Sequence, residues 1–157
     1  MSIEMVRNYF KKIGIDDQIK EFDVSSATVE LAAKALDVEP KRIAKTLSFK
    51  LGDSCLLIVM AGDARIDNHK FKDKFSIKAK MLSADEVEKL VGHGVGGVCP
   101  FAIKPNIPVY LDKSLQRFKT VFPACGSSNS AIELNCDELY KYSNAIDWID
   151  VCKVLDN

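Results

Sequence analysis

The sequence predicts a single α/β domain, residues 1–157, built on a curved, barrel-like mixed β-sheet flanked by helices. Three observations carry this expectation. Short strand patterns interleave with short helical patterns along the chain, as in a mixed sheet covered by helices. Residues 46–60 hold the clearest strand pair, joined by the turn residues Gly52 and Asp53. No internal repeat, low-complexity tract or linker divides the 157 residues, a length that supports one hydrophobic core.

The elements follow in order. Ile3, Val6, Phe10 and Ile13 recur at helical spacing, and Gly14 follows as a stop. Ile19, Glu21, Phe22 and Val24 suggest a short strand. Ser25, Ser26 and Thr28 offer caps for a helix over Val29–Leu36, with Glu30 in the first turn, where the helix dipole favours an anion. Pro40 opens a helical turn expected to hold Ile43, Ala44 and Lys45. Thr46–Leu51 alternates, whereas Cys55–Met60 is continuously apolar, as a strand buried on both faces would be. Gly62 and Asp63 end that strand, and Asp67 caps a helix to about Phe75. Ile77–Met81 reads as a strand, and Ser83 with Glu86 forms a capping box for Ala84–Val91. Ile107–Leu111 reads as a strand, Asp112 caps a short turn, and Lys119–Phe122 and Ala131–Leu134 read as strands around the loop Pro123–Ser130. Asp137–Tyr142 is helical, and Trp148–Val154 closes the chain as a strand or irregular tail.

Composition narrows the function. With 22 Lys+Arg against 22 Asp+Glu the formal net charge is zero, which argues against indiscriminate coating of nucleic acid but leaves room for a local basic patch. The longest apolar run, Leu56–Ala61, is far short of the ~20 residues of a membrane helix. Ile3, Glu4, Met5 and Arg7 lack the apolar block of a signal peptide, so a cytoplasmic protein without membrane association is expected. Cys55, Cys99, Cys125, Cys136 and Cys152 are widely spaced without a C-x-x-C pair, and His69 and His93 are not spaced to share a metal on one helix. Neither a disulfide framework nor a metal site is expected, and no cofactor is implied.

Five features could carry chemistry. The run Gly92-His93-Gly94-Val95-Gly96-Gly97-Val98-Cys99-Pro100-Phe101 can aim backbone N–H groups at an oxyanion or phosphate, or simply form a tight structural turn. It follows a helix and lacks a Lys-Ser/Thr ending, so it is neither a dinucleotide fingerprint nor a P-loop. Lys45, between Ala44 and Thr46, can be partly buried and aimed into a cleft. Lys41, Arg42 and Lys50 with Lys70, Lys72, Lys74, Lys78 and Lys80 make a candidate basic face for a phosphate backbone, or a solvated surface. Cys99 invites a nucleophile reading, although no His-Asp pair is evidently placed for it, and Gly126-Ser127-Ser128 is a second polar loop able to line the same cleft.

The segments Ser25–Lys50, Ala61–Asp67 (AGDARID), Gly92–Ile103 (GHGVGGVCPFAI), Ile107–Leu115 and Ala124–Leu134 (ACGSSNSAIEL) together resemble, in order, the YbaK-like family. These are freestanding relatives of the editing domain inserted in bacterial prolyl-tRNA synthetases. The resemblance implies a curved mixed sheet and hydrolysis of the ester joining a wrong amino acid to its tRNA, by water or a group of the substrate itself. It implies that Lys45, after Ile-Ala, holds the 3′-terminal phosphate or ribose, that N–H groups of Gly96 and Gly97 polarise the carbonyl, and that Val98, Cys99 and Phe101 shape the amino-acid pocket. Pro100 completes the loop; Cys99 stands where relatives usually carry Ser. The expected substrate-binding set is Ser26, Thr28, Thr46, His93, Val98, Cys99, Pro100, Phe101, Gly126 and Ser127, and the expected tRNA-binding set Lys41, Arg42, Lys70, Lys72 and Lys74. Cys-tRNA(Pro) is the leading substrate, with Ala, Ser and Thr open, and prolyl-tRNA synthetase is the expected partner.

Three rivals remain on the sequence. One is a tRNA- or synthetase-binding module of the same fold without activity. Another is a thiol enzyme using Cys99. The last is a phosphate-dependent nucleotide enzyme, for which no motif is present.

Overall fold

A long hairpin organises the molecule. The computed structural model describes residues 2–94 and 96–155; Val95 of the glycine loop and the extreme ends of the expected 1–157 domain lie outside the described residues. In chain order the elements are α1 (Ser2–Lys12), β1 (Lys20–Glu21), α2 (Val29–Leu36), β2 (Ile43–Leu51), β3 (Ser54–Ala61), β4 (Ala64–Ile66), α3 (Asn68–Phe75), α4 (Ala84–Val91), β5 (Val109–Asp112), β6 (Phe122–Pro123), β7 (Ser130–Ala131), α5 (Cys136–Tyr142), β8 (Asp147–Ile149) and β9 (Cys152–Val154). Short 3-10 turns lie at Asp16–Gln18, Pro40–Arg42 and Lys113–Arg117.

A curved five-stranded sheet runs β6-β2-β3-β5-β8. β2 and β3 pair antiparallel, from Ala44 opposite Ala61 to Leu51 opposite Ser54, and the other neighbours pair parallel. This is the mixed sheet the sequence predicts. Every residue of β3 from Cys55 to Ala61 is fully buried, as its continuous apolar run requires of a central strand. Phe10 of α1 packs edge-on against Phe101 with ring centroids 4.9 Å apart, closing the core on one side. The caps also form as read: the side chains of Thr28, Asp67 and Asp112 accept backbone N–H bonds, and Ser83 and Glu86 make the capping box of α4.

Several expectations are corrected, each by tertiary pairing. Ile43, Ala44 and Lys45 belong to β2 rather than to a helical turn, because Ile43 and Ala44 join the parallel ladder with Phe122 and Pro123. Residues 77–81 form one bridge, Met81 with Phe49, rather than a strand, and β4, which had no strand signal of its own, forms by pairing with β9. The strand expected at Ile107 begins at Val109, since Pro108 has no N–H to give and only its carbonyl joins, accepting from Leu57 N at 2.9 Å. The strands expected at 119–122 and 131–134 shorten to Phe122–Pro123 and Ser130–Ala131, with Val121 and Leu134 bridged beyond them. The strand expected at 19–24 shortens to Lys20–Glu21, and the C-terminal segment splits into β8 and β9.

Candidate active site

The principal cavity, about 410 Å³, lies beside β2 under α2 and α4. Ser26, Thr28, Lys45, Thr46, Gly96 and Val98, all expected from the sequence, line it. Its remaining wall is mainly apolar: Val29, Ala32, Ile43, Leu47, Met81, Leu82, Val87 and Phe122. No carboxylate, imidazole or thiol faces it among the described residues. Thr28 and Ala84, at the N-terminal ends of α2 and α4, both line it; these ends are capped, by the Thr28 side chain accepting from Leu31 N and by the Ser83–Glu86 capping box.

Lys45 is half-buried, and its Nζ donates to the Gly62 carbonyl at 3.5 Å. Burial pushes its pKa down from the ordinary lysine value; Cys152, Glu30 and Asp63 oppose that shift while Arg65 adds to it. Gly62 is a residue the sequence reading left as a mere strand end. A Cβ there would collide with the Pro40 carbonyl oxygen and lie 2.8 Å from Val29 Cγ1, so only glycine lets this turn approach α2 and present its carbonyl to Lys45. The next residue is clamped: Arg117 donates to both carboxylate oxygens of Asp63, at 3.0 and 2.5 Å, and holds that carboxyl below its usual range. Thr46 carries a buried hydroxyl with no partner among the described residues.

The glycine loop divides between two environments. Gly96, at φ +88°, lines the cavity, and a Cβ on it would lie 2.9 Å from that of Ala27. Gly97 donates its N–H to the Gly94 carbonyl at 3.1 Å, so that donor is engaged inside the loop. A Cβ on Gly97 would sit 2.7 Å from Ser127 N, so backbone packing against the second loop explains this glycine. Gly97, Gly126 and Ser127 border a separate, shallower hollow of about 220 Å³ with Ser2.

Pro100 lines a third hollow, of about 390 Å³, beside Tyr9. His93, Cys99 and Phe101 are fully buried in the core and line none of these cavities. The Phe101 carbonyl lies 2.8 Å from His93 Nε2 and can only accept, so Nε2 carries the proton and Nδ1 is left as a buried acceptor without a partner. Cys99 Sγ lies 3.5 Å from the same nitrogen, and burial raises its pKa to about 12, which leaves no thiolate near neutral pH. The structure therefore offers no activated nucleophile at Cys99.

The basic residues are equally uneven. Lys41 pairs with Glu39 at 3.2 Å, Arg42 with Glu133 at 3.3 Å, and Lys70 with Asp150 at 3.1 Å and the Cys152 carbonyl at 3.0 Å. Lys72 borders an open hollow with Asn68, His69, Lys78 and Ala79, and Lys74 is exposed on α3. Among the described residues no group of His, Cys, Asp or Glu is placed to hold a metal ion, and no helix is long and apolar enough to cross a membrane.

A domain of this fold, with a lysine beside an apolar cavity at the edge of a curved sheet, matches a known class. Residues 23–142 match the aminoacyl-tRNA editing domain, and the chain belongs to that family, in its YbaK-like branch. It is 54% identical to protein YwhH of Bacillus subtilis over 98% of each chain. It is 28% identical to EbsC of Enterococcus faecalis, provisionally named a Cys-tRNA(Pro)/Cys-tRNA(Cys) deacylase, over 74% of this chain and 73% of that one. A crystal structure provisionally described as a trans-editing enzyme for prolyl tRNA synthetase superposes with a TM-score of 0.86 at 25% identity, covering 97% of both chains.

Proposed function

We propose that this protein, residues 1–157 acting as one domain, is a trans-editing deacylase that hydrolyses mischarged aminoacyl-tRNA, with Cys-tRNA(Pro) as its leading substrate. The observation that carries the reading is the Lys45 amine, fixed by the Gly62 carbonyl beside an apolar cavity of about 410 Å³, within the usual range for a small-molecule site. An aminoacyl ester is already activated, so the site needs position and charge stabilisation more than a base or nucleophile of its own. Water adds to the ester carbonyl, the bond to the ribose oxygen breaks, and that oxygen leaves with a proton, giving free amino acid and tRNA. Lys45 orients the terminal ribose or phosphate, and its positive charge favours the developing oxyanion.

A separate deacylase is physically reasonable, because a synthetase pocket discriminates a methylene by only ~1–3 kcal/mol. The apolar wall suits a small side chain such as that of cysteine, the amino acid in the provisional name of EbsC. Lys72 and Lys74, which have no acidic partner among the described residues, meet the tRNA backbone directly, whereas Lys41, Arg42 and Lys70 must first exchange their acidic partners. With zero net charge the chain binds tRNA weakly alone, which favours work alongside prolyl-tRNA synthetase in the cytoplasm.

The test is release of labelled amino acid from Cys-, Ala-, Ser- and Pro-charged proline tRNA, with spontaneous loss subtracted. Fast loss of Cys with Pro spared is expected, and Lys45→Ala should lower the rate about a hundredfold. Loss from none of the four would put the binding module in its place, and undiminished turnover by the variant would remove Lys45 from the mechanism.

A further inference from the structure

The outer edge of β2 is paired at both ends and open between them. At one end Ile43 and Ala44 join β6; at the other, Lys50 N donates to Lys80 O at 2.8 Å and Ser48 O accepts from Leu82 N at 3.2 Å. Along a strand, the N–H and C=O groups of alternate residues point to opposite neighbours. Ser48 and Lys50 thus mark the even-numbered residues as outward-facing. Leu57, opposite Ser48, correspondingly donates away from β2, to Pro108. Thr46 must then direct both its N–H and its C=O outward, and among the described residues neither flanking ladder reaches it. The principal cavity lies at this gap. Every residue from Ile43 to Ser48 lines it, odd- and even-numbered alike, as happens when a cavity abuts a strand edge.

We propose that Thr46 docks the aminoacyl group as though it were a strand of one residue. An aminoacyl ester carries an N–H donor and a C=O acceptor on one Cα, as a strand residue does. Set antiparallel to Thr46 it exchanges both bonds: the α-amino group donates to the Thr46 carbonyl, and the Thr46 N–H donates to the ester carbonyl. No carboxylate lines the cavity, so the amino group falls to a carbonyl or hydroxyl oxygen. The bond to the ester oxygen strengthens as water adds and charge develops there, a role the engaged N–H of Gly97 cannot fill. The substrates are therefore esters of α-amino acids with a free amino group; an ester lacking it covers the Thr46 carbonyl without giving it a donor.

This inference rests on the deacylase reading, and the experiment separates the two. Cysteinyl- and 3-mercaptopropionyl-tRNA(Pro) differ only in the α-amino group. With each rate divided by that ester's own uncatalysed hydrolysis, the amine-free ester is expected to react about tenfold more slowly in kcat/KM, or worse. Equal rates would overturn the docking and leave the deacylase standing. If neither ester reacts, the deacylase reading falls, and the docking is decided by the amide NMR signal of Thr46 during titration with the non-hydrolysable cysteinyl amide of 3′-amino-3′-deoxyadenosine. A shifted signal supports it and an unmoved one overturns it. Thr46→Val, which removes the hydroxyl and keeps the backbone, should retain the tenfold discrimination. Its disappearance would assign the contact to the hydroxyl and overturn the backbone docking.

Discussion

The edge of β2 and the glycine loop of residues 92–101 make opposite use of their polar groups. The loop looks the more chemical of the two, dense in glycine with a histidine and a cysteine between. Yet its Gly97 N–H is satisfied within the loop, and His93, Cys99 and Phe101 are sealed in the core, where His93 Nδ1 has no partner among the described residues but also borders none of the cavities described. The segment Ile43–Ser48 reads as a helical turn running into an alternating strand, yet it holds a buried hydroxyl with no partner among the described residues and an amine with a lowered pKa, on two residues that line the cavity beside β2. Polar residues that line a cavity are placed to meet a ligand, whereas polar groups sealed in the core, the unpartnered His93 Nδ1 included, are not.

The sharpest way to break this comparison is to truncate one residue on each side. Lys45→Ala carries the expected hundredfold loss of deacylation, while Cys99→Ser should leave kcat/KM within about twofold, because the thiol is buried, un-ionised and away from the cavity. A large loss with Cys99→Ser in a variant that melts normally would return the loop to the chemistry. Next in size are the glycines. A Cβ at Gly97 meets the backbone of Gly126 and Ser127 at 2.7 to 2.8 Å, so Gly97→Ala should cost about 1–3 kcal/mol of unfolding free energy. Gly94→Ala, with nothing within 4 Å of the added carbon, should be nearly silent. Urea denaturation of both variants reads the difference, and equal stabilities would show that the loop yields where packing says it cannot.

The same contrast explains what the sequence reveals. Elements written in local chemistry are legible: the Thr28, Asp67 and Ser83 caps, the hairpin turn at Gly52-Asp53, and the all-apolar β3. Elements made by a distant partner are not. β4 exists because β9 pairs with it, and Ile43 leaves its helical turn because Phe122 lies alongside. In the site, Lys45 and Gly96 follow from family resemblance and line the cavity. Gly62 is missed because its reason, the approach of Pro40 and Val29, is purely spatial. Phe101 and Cys99 are overvalued because glycines nearby suggest a ligand cradle, although apolar neighbours at 98, 99 and 101 already argue for burial.

The smallest effect expected concerns His93. Burial lowers its pKa from the ordinary 6.5, outweighing the bond to Phe101 that favours the charged ring. The folded protein therefore keeps the ring neutral at pH values where the unfolded chain already binds a proton. Above about pH 6.5 neither state is protonated and the residue adds no pH dependence; as pH falls below that value, stability is lost, by at most about 1.4 kcal/mol per pH unit, until the folded-state pKa is reached. The lowered carboxylates, Asp63 and Asp150 among them, act in the same direction but only as pH approaches the carboxylate range. Thermal melts between pH 7.5 and 5.5 thus isolate the histidine. The wild type should lose stability over that interval, and His93→Gln, which can still donate to the Phe101 carbonyl, should lose less. Identical slopes would mean that the ring takes up its proton in the folded state, and that the core around the glycine loop is open enough to solvate it.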